Sequence, residues 1–242
     1  MHAVSCWLER RCFTRAKTII ANSEKIKREI IDTYHIDPTK ITVIYNGIDA
    51  EPLDRDRAKQ SICQRYDLDP KVPIVLFVGS GWQRKGGDVF LNLLSKLDTP
   101  CQAIMVGKDK RLSLYQQQAK SLGIADRVIF AGLQSDVNTF YAAAEVMVFP
   151  PRYEPFSNVV LESMAQGCVV MTSGGNGAAE ILPDDQVIHL SNPEASLPIL
   201  TALLSDPLLR AQRQRAAIKV VNRMSMASCV KQTVDLVSQS TF

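Results

Sequence analysis

Residues 149–167 read F-P-P-R-Y-E-P-F-S-N-V-V-L-E-S-M-A-Q-G. Just ahead of them, Val146-Met147-Val148-Phe149 has the look of a short buried strand. Pro150, Pro151 and Pro155 rule out regular structure in the loop that follows. Beyond Pro155, either Ser157 or Asn158 is placed to cap a helix, whose apolar positions Val159, Val160, Met164 and Ala165 recur at helical spacing. Gly167 ends it. Glu154 is therefore expected on a loop at the carboxyl end of a strand, and Glu162 about one turn into the next helix. A helix N-terminus facing such a loop presents backbone N–H groups and the positive end of a dipole, which suits a phosphate. Carboxylates on either side of that point can accept hydrogen bonds from hydroxyls, for example a sugar's and a ribose's. Taken singly, each Glu reads as a solvated surface charge; the pair gains meaning from its surroundings.

Those surroundings repeat one pattern. Ile74–Val78 is the most strand-like run in the chain and ends in G-S-G-W-Q-R-K-G-G (residues 79–87), followed by a helix to about Leu97. Cys101–Val106 ends in G-K-D-K-R (107–111), followed by a helix to Leu122. Val128–Phe130 ends in Ala131-Gly132-Leu133, ahead of a short helix over 136–144. After the opening stretch, Cys168–Met171 ends in S-G-G-N-G (173–177), and Gln186–Leu190 is a candidate sixth strand. From Pro193 onward the pattern is helical, broken near Pro207 and Met224. Strands alternating with helices predict the α/β class: a Rossmann-like, doubly wound parallel sheet. Such sheets bind ligands at the carboxyl ends of their strands. Glycines gather at those ends, and so do the cations Arg84, Lys85, Lys108, Lys110, Arg111 and Arg152. The ligand predicted from this is anionic and extended, most simply a nucleoside diphosphate. G-x-x-x-x-G-K-[ST] is absent, and no G-x-G-x-x-G is followed by an acidic residue at ribose-reading distance, which weakens ATPase and dehydrogenase readings.

Upstream, residues 5–16 predict a helix, Thr18–Ala21 a strand, Glu24–Tyr34 a helix capped by Asn22 or Ser23, and Ile41–Ile44 a second strand before the turn Y-N-G-I-D (45–49). Two strands cannot cover their own faces, so apolar surface is expected to show on Ile19, Ile20, Ile41, Val43 and Ile44. The 242 residues are 46% hydrophobic and 22% charged, enough for a sizeable core. The net charge of +3 is too small to indicate nucleic acid. No apolar run approaches the roughly 18–20 residues of a membrane span. The cysteines (Cys6, Cys12, Cys63, Cys101, Cys168, Cys229) form no C-x-x-C pair and read as reduced and mostly buried, with no zinc site; His2, His35 and His189 form no ligand motif.

At this point the residues match a family. V-G-S-G-W-Q-R-K-G-G-D (78–88), V-G-K-D-K (106–110), R-V-I-F-A-G-L (127–133) and P-P-R-Y-E-P-F-S-N-V-V-L-E-S-M-A-Q-G (150–167) resemble the C-terminal half of a GT-B glycosyltransferase of the retaining group 1 (GT4) type. The R-K-G and V-G-x-D-K pieces are similar to those of lipopolysaccharide core glucosyltransferases. The spacing E-x7-E of Glu154 and Glu162, in its helical context, is the most specific element. The resemblance implies that Arg84 and Lys85 clamp a nucleotide sugar's diphosphate and stabilise the departing nucleoside diphosphate. It implies that Glu154 orients the donor sugar, that Phe156, Ser157, Asn158 and Val159 hold the distal phosphate or sugar through backbone N–H groups, and that Glu162 accepts from ribose hydroxyls. Gly132 and Leu133 would sit by the base, and Gly79 would let the first loop approach the donor. The expected reaction is transfer of a hexose, with retention, from a UDP-hexose donor to a saccharide or lipid-linked acceptor, with no cofactor and no metal.

The resemblance also divides the chain. A full member carries a complete N-terminal Rossmann-like domain before the hinge, here placed at Asn46–Asp49. Residues 1–50 stand as a small αβ remnant of that acceptor domain, and 51–242 as the nucleotide-sugar-binding domain. The chain alone is then expected to bind a donor and transfer poorly. Alternatives are a non-catalytic nucleotide-binding subunit, a split half that needs a separate N-terminal partner, and a sugar-nucleotide epimerase of the same architecture. The expected location is cytoplasmic. Arg10, Arg11, Arg15 and Lys17 offer peripheral contact with anionic lipid at the inner face of the membrane as an alternative to an ordinary solvated face.

Overall fold

A computed structural model describes residues 2–240, in two compact units. The first contains the described residues up to Asp49 together with those from Met224 onward; the second spans Ala50–Arg223.

In the first unit, α1 (His2–Arg15) leads into β1 (Ile19–Ala21), α2 (Glu24–Tyr34) and β2 (Ile41–Val43). The two strands are parallel, with Ile19 opposite Ile41. Ser23 caps α2, its Oγ accepting from the Ile26 N–H at 3.2 Å. The expected apolar exposure is mostly absent. Ile19, Ile41 and Ile44 are buried and Val43 is half-buried; Ile20 alone of the five is exposed, at 43%. The reason is local. Phe13, Ala16, Ile26, Ile31, Tyr34 and Val43 pack against Ile19, Ala21, Ile30, Ile36 and Ile41. Ile20 points to the opposite sheet face, as strand alternation requires.

The second unit opens with α3 (Arg55–Tyr66), capped by Asp54, whose side chain accepts from the Arg57 N–H at 3.1 Å. There follow β3 (Ile74–Val78), α4 (Trp82–Lys85), α5 (Gly87–Ser95), β4 (Gln102–Val106), α6 (Leu112–Ser121), β5 (Val128–Gly132) and α7 (Asn138–Ala143). Next come β6 (Val146–Phe149), α8 (Asn158–Ala165), β7 (Val169–Ser173), β8 (Val187–Ile188), α9 (Leu197–Ser205) and α10 (Pro207–Val221). The sheet has six strands in the order β5-β4-β3-β6-β7-β8, and every neighbouring pair is parallel. Every residue of β3, β6 and β7 is buried, as expected where helices cover both faces. Helices α3, α7, α8 and α10 pack together in one layer, while α5 and α9 pack on β6 from the other. The chain order reverses between β3 and β6. That makes their carboxyl ends the topological switch point, where sheets of this kind open a crevice.

After α10 the chain forms α11 (Met226–Ser240), which belongs to the first unit and not, as expected, to the second. Backbone pairing explains the correction. The Ile48 N–H donates to the Met224 carbonyl at 2.9 Å, Asp49 Oδ1 accepts from the Met226 N–H at 3.2 Å, and the Ser225 backbone fills the space a side chain on Gly47 would need. No described helix is long and apolar enough to cross a membrane.

Candidate functional site

The run after β3 was expected to be a glycine-rich loop. Instead it folds into the single turn of α4, bounded by Gly81 and Gly86 in left-handed conformations (φ 73° and 77°). The cause is Trp82. Its side chain is 1% exposed, its Nε1–H donates to the Gly79 carbonyl at 2.8 Å, and its ring packs against Phe77, Tyr115 and Phe130. Burying the indole winds the chain into a turn and brings Arg84 and Lys85 toward the strand ends. The stem of Lys85 lies beside Gly79, and its Nζ is 5.4 Å from the centre of the Phe149 ring.

Glu154 is where these cations converge. Its Oε2 accepts from Lys85 Nζ and from Arg84 Nη1, the latter at 2.7 Å. Arg84 Nη1 also donates to the Tyr153 carbonyl at 3.0 Å. The Lys85 and Glu154 side chains are 14% and 15% exposed, whereas Arg84 is 55% exposed. The carboxylate is aimed by its backbone. The Glu154 N–H donates to the Gly175 carbonyl at 2.9 Å, and the Gly177 N–H donates to the Glu154 carbonyl at 3.0 Å. Further down the same loop, Thr172 Oγ1 donates to the Phe149 carbonyl at 2.6 Å and Ser173 Oγ to that of Pro151. The proline loop is thus fastened to the end of β7 and to the segment that follows it. Both cations meet on the same oxygen of the carboxylate.

Helix α8 starts where expected, with Ser157 at its N-cap, but the Ser157 side chain makes no capping bond. Phe156 and Ser157 are buried, Asn158 is exposed and Val159 half-buried. Gly167, at φ 72°, follows the last turn. Glu162 is half-buried, and its Oε2 accepts from the Tyr141 hydroxyl at 2.9 Å. Burial, and then the charge of Glu162, push the Tyr141 pKa up, so the phenol stays a donor.

The remaining basic residues divide. Arg152 is already paired: its guanidinium grips Asp88 through Nη1 and Nη2 at 2.8 and 2.6 Å and donates to the Gln83 carbonyl at 2.6 Å. Burial acts to raise the Asp88 pKa, but Arg152's hydrogen bonds and charge, with nearby backbone N–H groups, hold it below its ordinary value. Arg111 donates to Gln83 Oε1 at 2.8 Å. Lys108, Lys110 and Arg111 line an open depression of about 520 Å³ together with Ser80, Gly81 and Asp109. Gly132 closes β5, its carbonyl accepting from the Gly107 N–H at 2.8 Å, and Leu133 beyond it is 63% exposed. Of the expected residues, then, Arg84, Lys85 and Glu154 come together around Gly79. Glu162 is held by Tyr141, and Gly132 and Leu133 stand at the far side of β4. Sequence reading did not single out Tyr141, Asp109, Asp88, Thr172 or Ser173, most of whose partners lie far along the chain. For all but Tyr141 the only signal was a position beside the glycine and basic motifs.

Residues 58–220 match the family model described as glycosyl transferases group 1. The chain belongs to the group 1 glycosyl transferases. Residues 1–52 match the model for glycosyltransferase family 4. One relative of this group 1 member is the N-acetylgalactosamine-N,N'-diacetylbacillosaminyl-diphospho-undecaprenol 4-alpha-N-acetylgalactosaminyltransferase of Campylobacter jejuni. It is 27% identical over 206 residues, covering 82% of this chain and 53% of that one. A lipopolysaccharide core biosynthesis glycosyltransferase of Rhizobium meliloti, LpsE, is 29% identical over 203 residues, covering 83% and 57%. Among solved structures, HepE of Anabaena in complex with UDP and glucose superposes with a TM-score of 0.82 at 21% identity, covering 92% of this chain and 63% of that one. The fold is therefore that of these GT-B neighbours, and the chain spans a little over half the length of the curated relatives it matches.

Proposed function

We propose that the second unit is the donor-holding half of a retaining hexosyltransferase that uses a nucleoside diphosphate sugar, with UDP as its nucleotide. The observation that carries this reading is the convergence of Arg84 and Lys85 on one oxygen of Glu154 at the mouth of the β3–β6 crevice. Without a ligand, the carboxylate balances the two cations. A diphosphate entering the crevice offers them oxygens of higher charge, and Glu154 keeps its other oxygen for a sugar hydroxyl. When the bond to the sugar breaks, charge grows on the leaving diphosphate. Arg84 and Lys85 are already placed to stabilise it, which lowers the barrier without reorganisation. Glu162 then takes the ribose hydroxyls, Gly132 and Leu133 border the base, and the segment that leads into α8, Phe156 to Val159, takes the distal phosphate or sugar. No cofactor or metal enters the scheme.

A UDP-bound neighbour and a lipopolysaccharide core relative support this choice of nucleotide and of a saccharide or lipid-linked acceptor. Transfer itself is assigned to the whole protein, since the relatives extend well beyond the matched span. Calorimetry with UDP, GDP and ADP tests the donor reading. The chain is expected to bind one of them, and Lys85→Ala to weaken that binding about tenfold or more, the loss of one charge-assisted phosphate contact. Glu162→Ala should weaken it too. Absence of binding to all three, or affinities untouched by both substitutions, would overturn it.

A further inference from the structure

Helix α4 is too short to hold itself in place. It has four residues, no side-chain cap at Gly81, and glycines at both ends. An isolated turn is unfavourable to form, and flanking glycines add backbone freedom. Yet it carries both proposed diphosphate cations, so whatever fixes α4 sets where they point.

Two side chains from separate loops meet its two ends. At the N-terminal end, Asp109 Oδ2 accepts from the Trp82 N–H at 2.6 Å, while its Oδ1 accepts from the Arg111 N–H at 2.7 Å. The Asp109 side chain is only 6% exposed. Around it the Gly81 N–H donates to the Lys108 carbonyl and the Lys108 N–H to Ser80 Oγ, both at 3.1 Å. At the C-terminal end, the Arg152 backbone N–H donates to the Arg84 carbonyl at 2.9 Å and its Nη1 to the Gln83 carbonyl at 2.6 Å, with Asp88 holding the guanidinium flat. A carboxylate thus sits at the positive end of the turn and a guanidinium at the negative end, the pairing that the peptide dipoles favour. Each Asp109 oxygen accepts from a backbone N–H, and Oδ1 also lies 3.9 Å from Arg111 Nε, so the carboxylate joins the start of α4 to its own loop. Arg152 is two residues from Glu154, and its grip also fixes the spacing between Arg84 and that carboxylate.

We infer that Asp109 and Arg152 are positioning residues that clamp α4 from its two ends and so aim Arg84 and Lys85 at the donor's diphosphate. The inference rests on the donor reading above. Its test is calorimetry of the full chain with UDP, GDP and ADP, each beside its own monophosphate, together with amide hydrogen exchange. Asp109→Ala is expected to weaken the bound diphosphate about tenfold or more, since small misplacements of positioned groups carry large penalties. The monophosphate should stay within twofold. Asp109→Asn, which keeps one acceptor, should fall between. Arg152→Lys, which loses the planar fork, should act like a partial Asp109→Ala. Amides of Trp82–Lys85 should exchange faster in Asp109→Ala, with Ile74–Val78 unchanged. If Asp109→Ala fails to fold, Asp109→Asn and Arg152→Lys carry the test. Diphosphate affinities within twofold of wild type in the folded variants, or equal losses for diphosphate and monophosphate, overturn the clamp. If Lys85→Ala also leaves diphosphate binding unchanged, the donor reading itself has failed, and the clamp's role in it falls too.

Discussion

The Tyr141 hydroxyl, on a residue 1% exposed, donates a 2.9 Å hydrogen bond to Oε2 of Glu162, tying α7 to α8. With one oxygen held from beneath by a permanently protonated phenol, Glu162 is oriented before any ligand arrives.

Tyr141→Phe removes that hold without changing the ring's volume. Because Glu162 is half-buried, water replaces part of the lost bond, and the expected fall in stability is about 1 kcal/mol. The more telling effect is on selectivity. On the proposed reading, Glu162 reads ribose hydroxyls, so the variant should discriminate less between the bound nucleoside diphosphate and its 2′- or 3′-deoxy analogues. Calorimetry with these analogues checks it; unchanged discrimination would detach Tyr141 from ribose recognition.

Gly86 is the tightest point of the site. At φ 77° it packs so closely on the proline loop that a Cβ would overlap the Pro150 carbonyl oxygen. Gly86→Ala adds a strained backbone to a collision with a fixed carbonyl. The expected cost is about 2 kcal/mol or more, measured by urea unfolding. Nucleoside diphosphate binding should fall with it, since relief of the clash pushes α4 and the Pro150–Glu154 loop apart. A variant as stable as wild type would mean that the loop moves freely and that the Glu154 cluster is less fixed than its hydrogen bonds indicate.

How much of this was readable from the chain follows from the range of each interaction. Strands β3 to β8 and the helices between them were legible because hydrophobic runs and glycine or proline punctuation are local signals. Ser23 announced its helix for the same reason. The turn at α4 was not legible, because glycines at 79, 81, 86 and 87 argue for a loop and the deciding force is burial of Trp82 against residues far along the chain. Arg152 looked like a ligand cation for a similar reason: only the folded chain shows that Asp88 holds it. The return of α11 to the first unit depends on backbone pairing between residues 48 and 224, which no local pattern encodes. Within the site, Arg84, Lys85 and Glu154 were readable as a set, whereas the residues that aim them were not.

The cysteines offer a check on the core. Burial is the main cause that pushes the thiol pKa of Cys63 and Cys101 up and that of Cys168 up to about 11. Cys12 is exposed and Cys229 half-exposed, while Cys6, like His2, lies outside the described side chains. A thiol reagent at neutral pH should label Cys12 first and Cys229 more slowly. Cys63, Cys101 and Cys168 should react only on unfolding, because they are both covered and protonated. Mass-spectrometric mapping after timed labelling reads this directly. Fast native-state labelling of Cys168 would contradict the packing of α8 against β7.

The Asp88–Arg152 pair makes the last prediction, in which pH separates a working ion pair from a decorative one. Burial opposes the charge on Asp88, but the guanidinium overcomes it and leaves the carboxyl's pKa below its unfolded value. A carboxyl shifted down on folding adds stability at every pH above its unfolded pKa, and that contribution disappears as pH falls through the folded pKa. Wild type should therefore exceed Asp88→Asn by a steady margin from neutral pH down to about 4, and the margin should close below that. Partial exposure of both side chains limits it to about 1 kcal/mol. Urea unfolding of the two proteins at a series of pH values measures the gap. A gap that persists unchanged well below pH 4 would assign the effect to Asp88's packing and not to its charge, and would remove the electrostatic part of Arg152's hold on the end of α4.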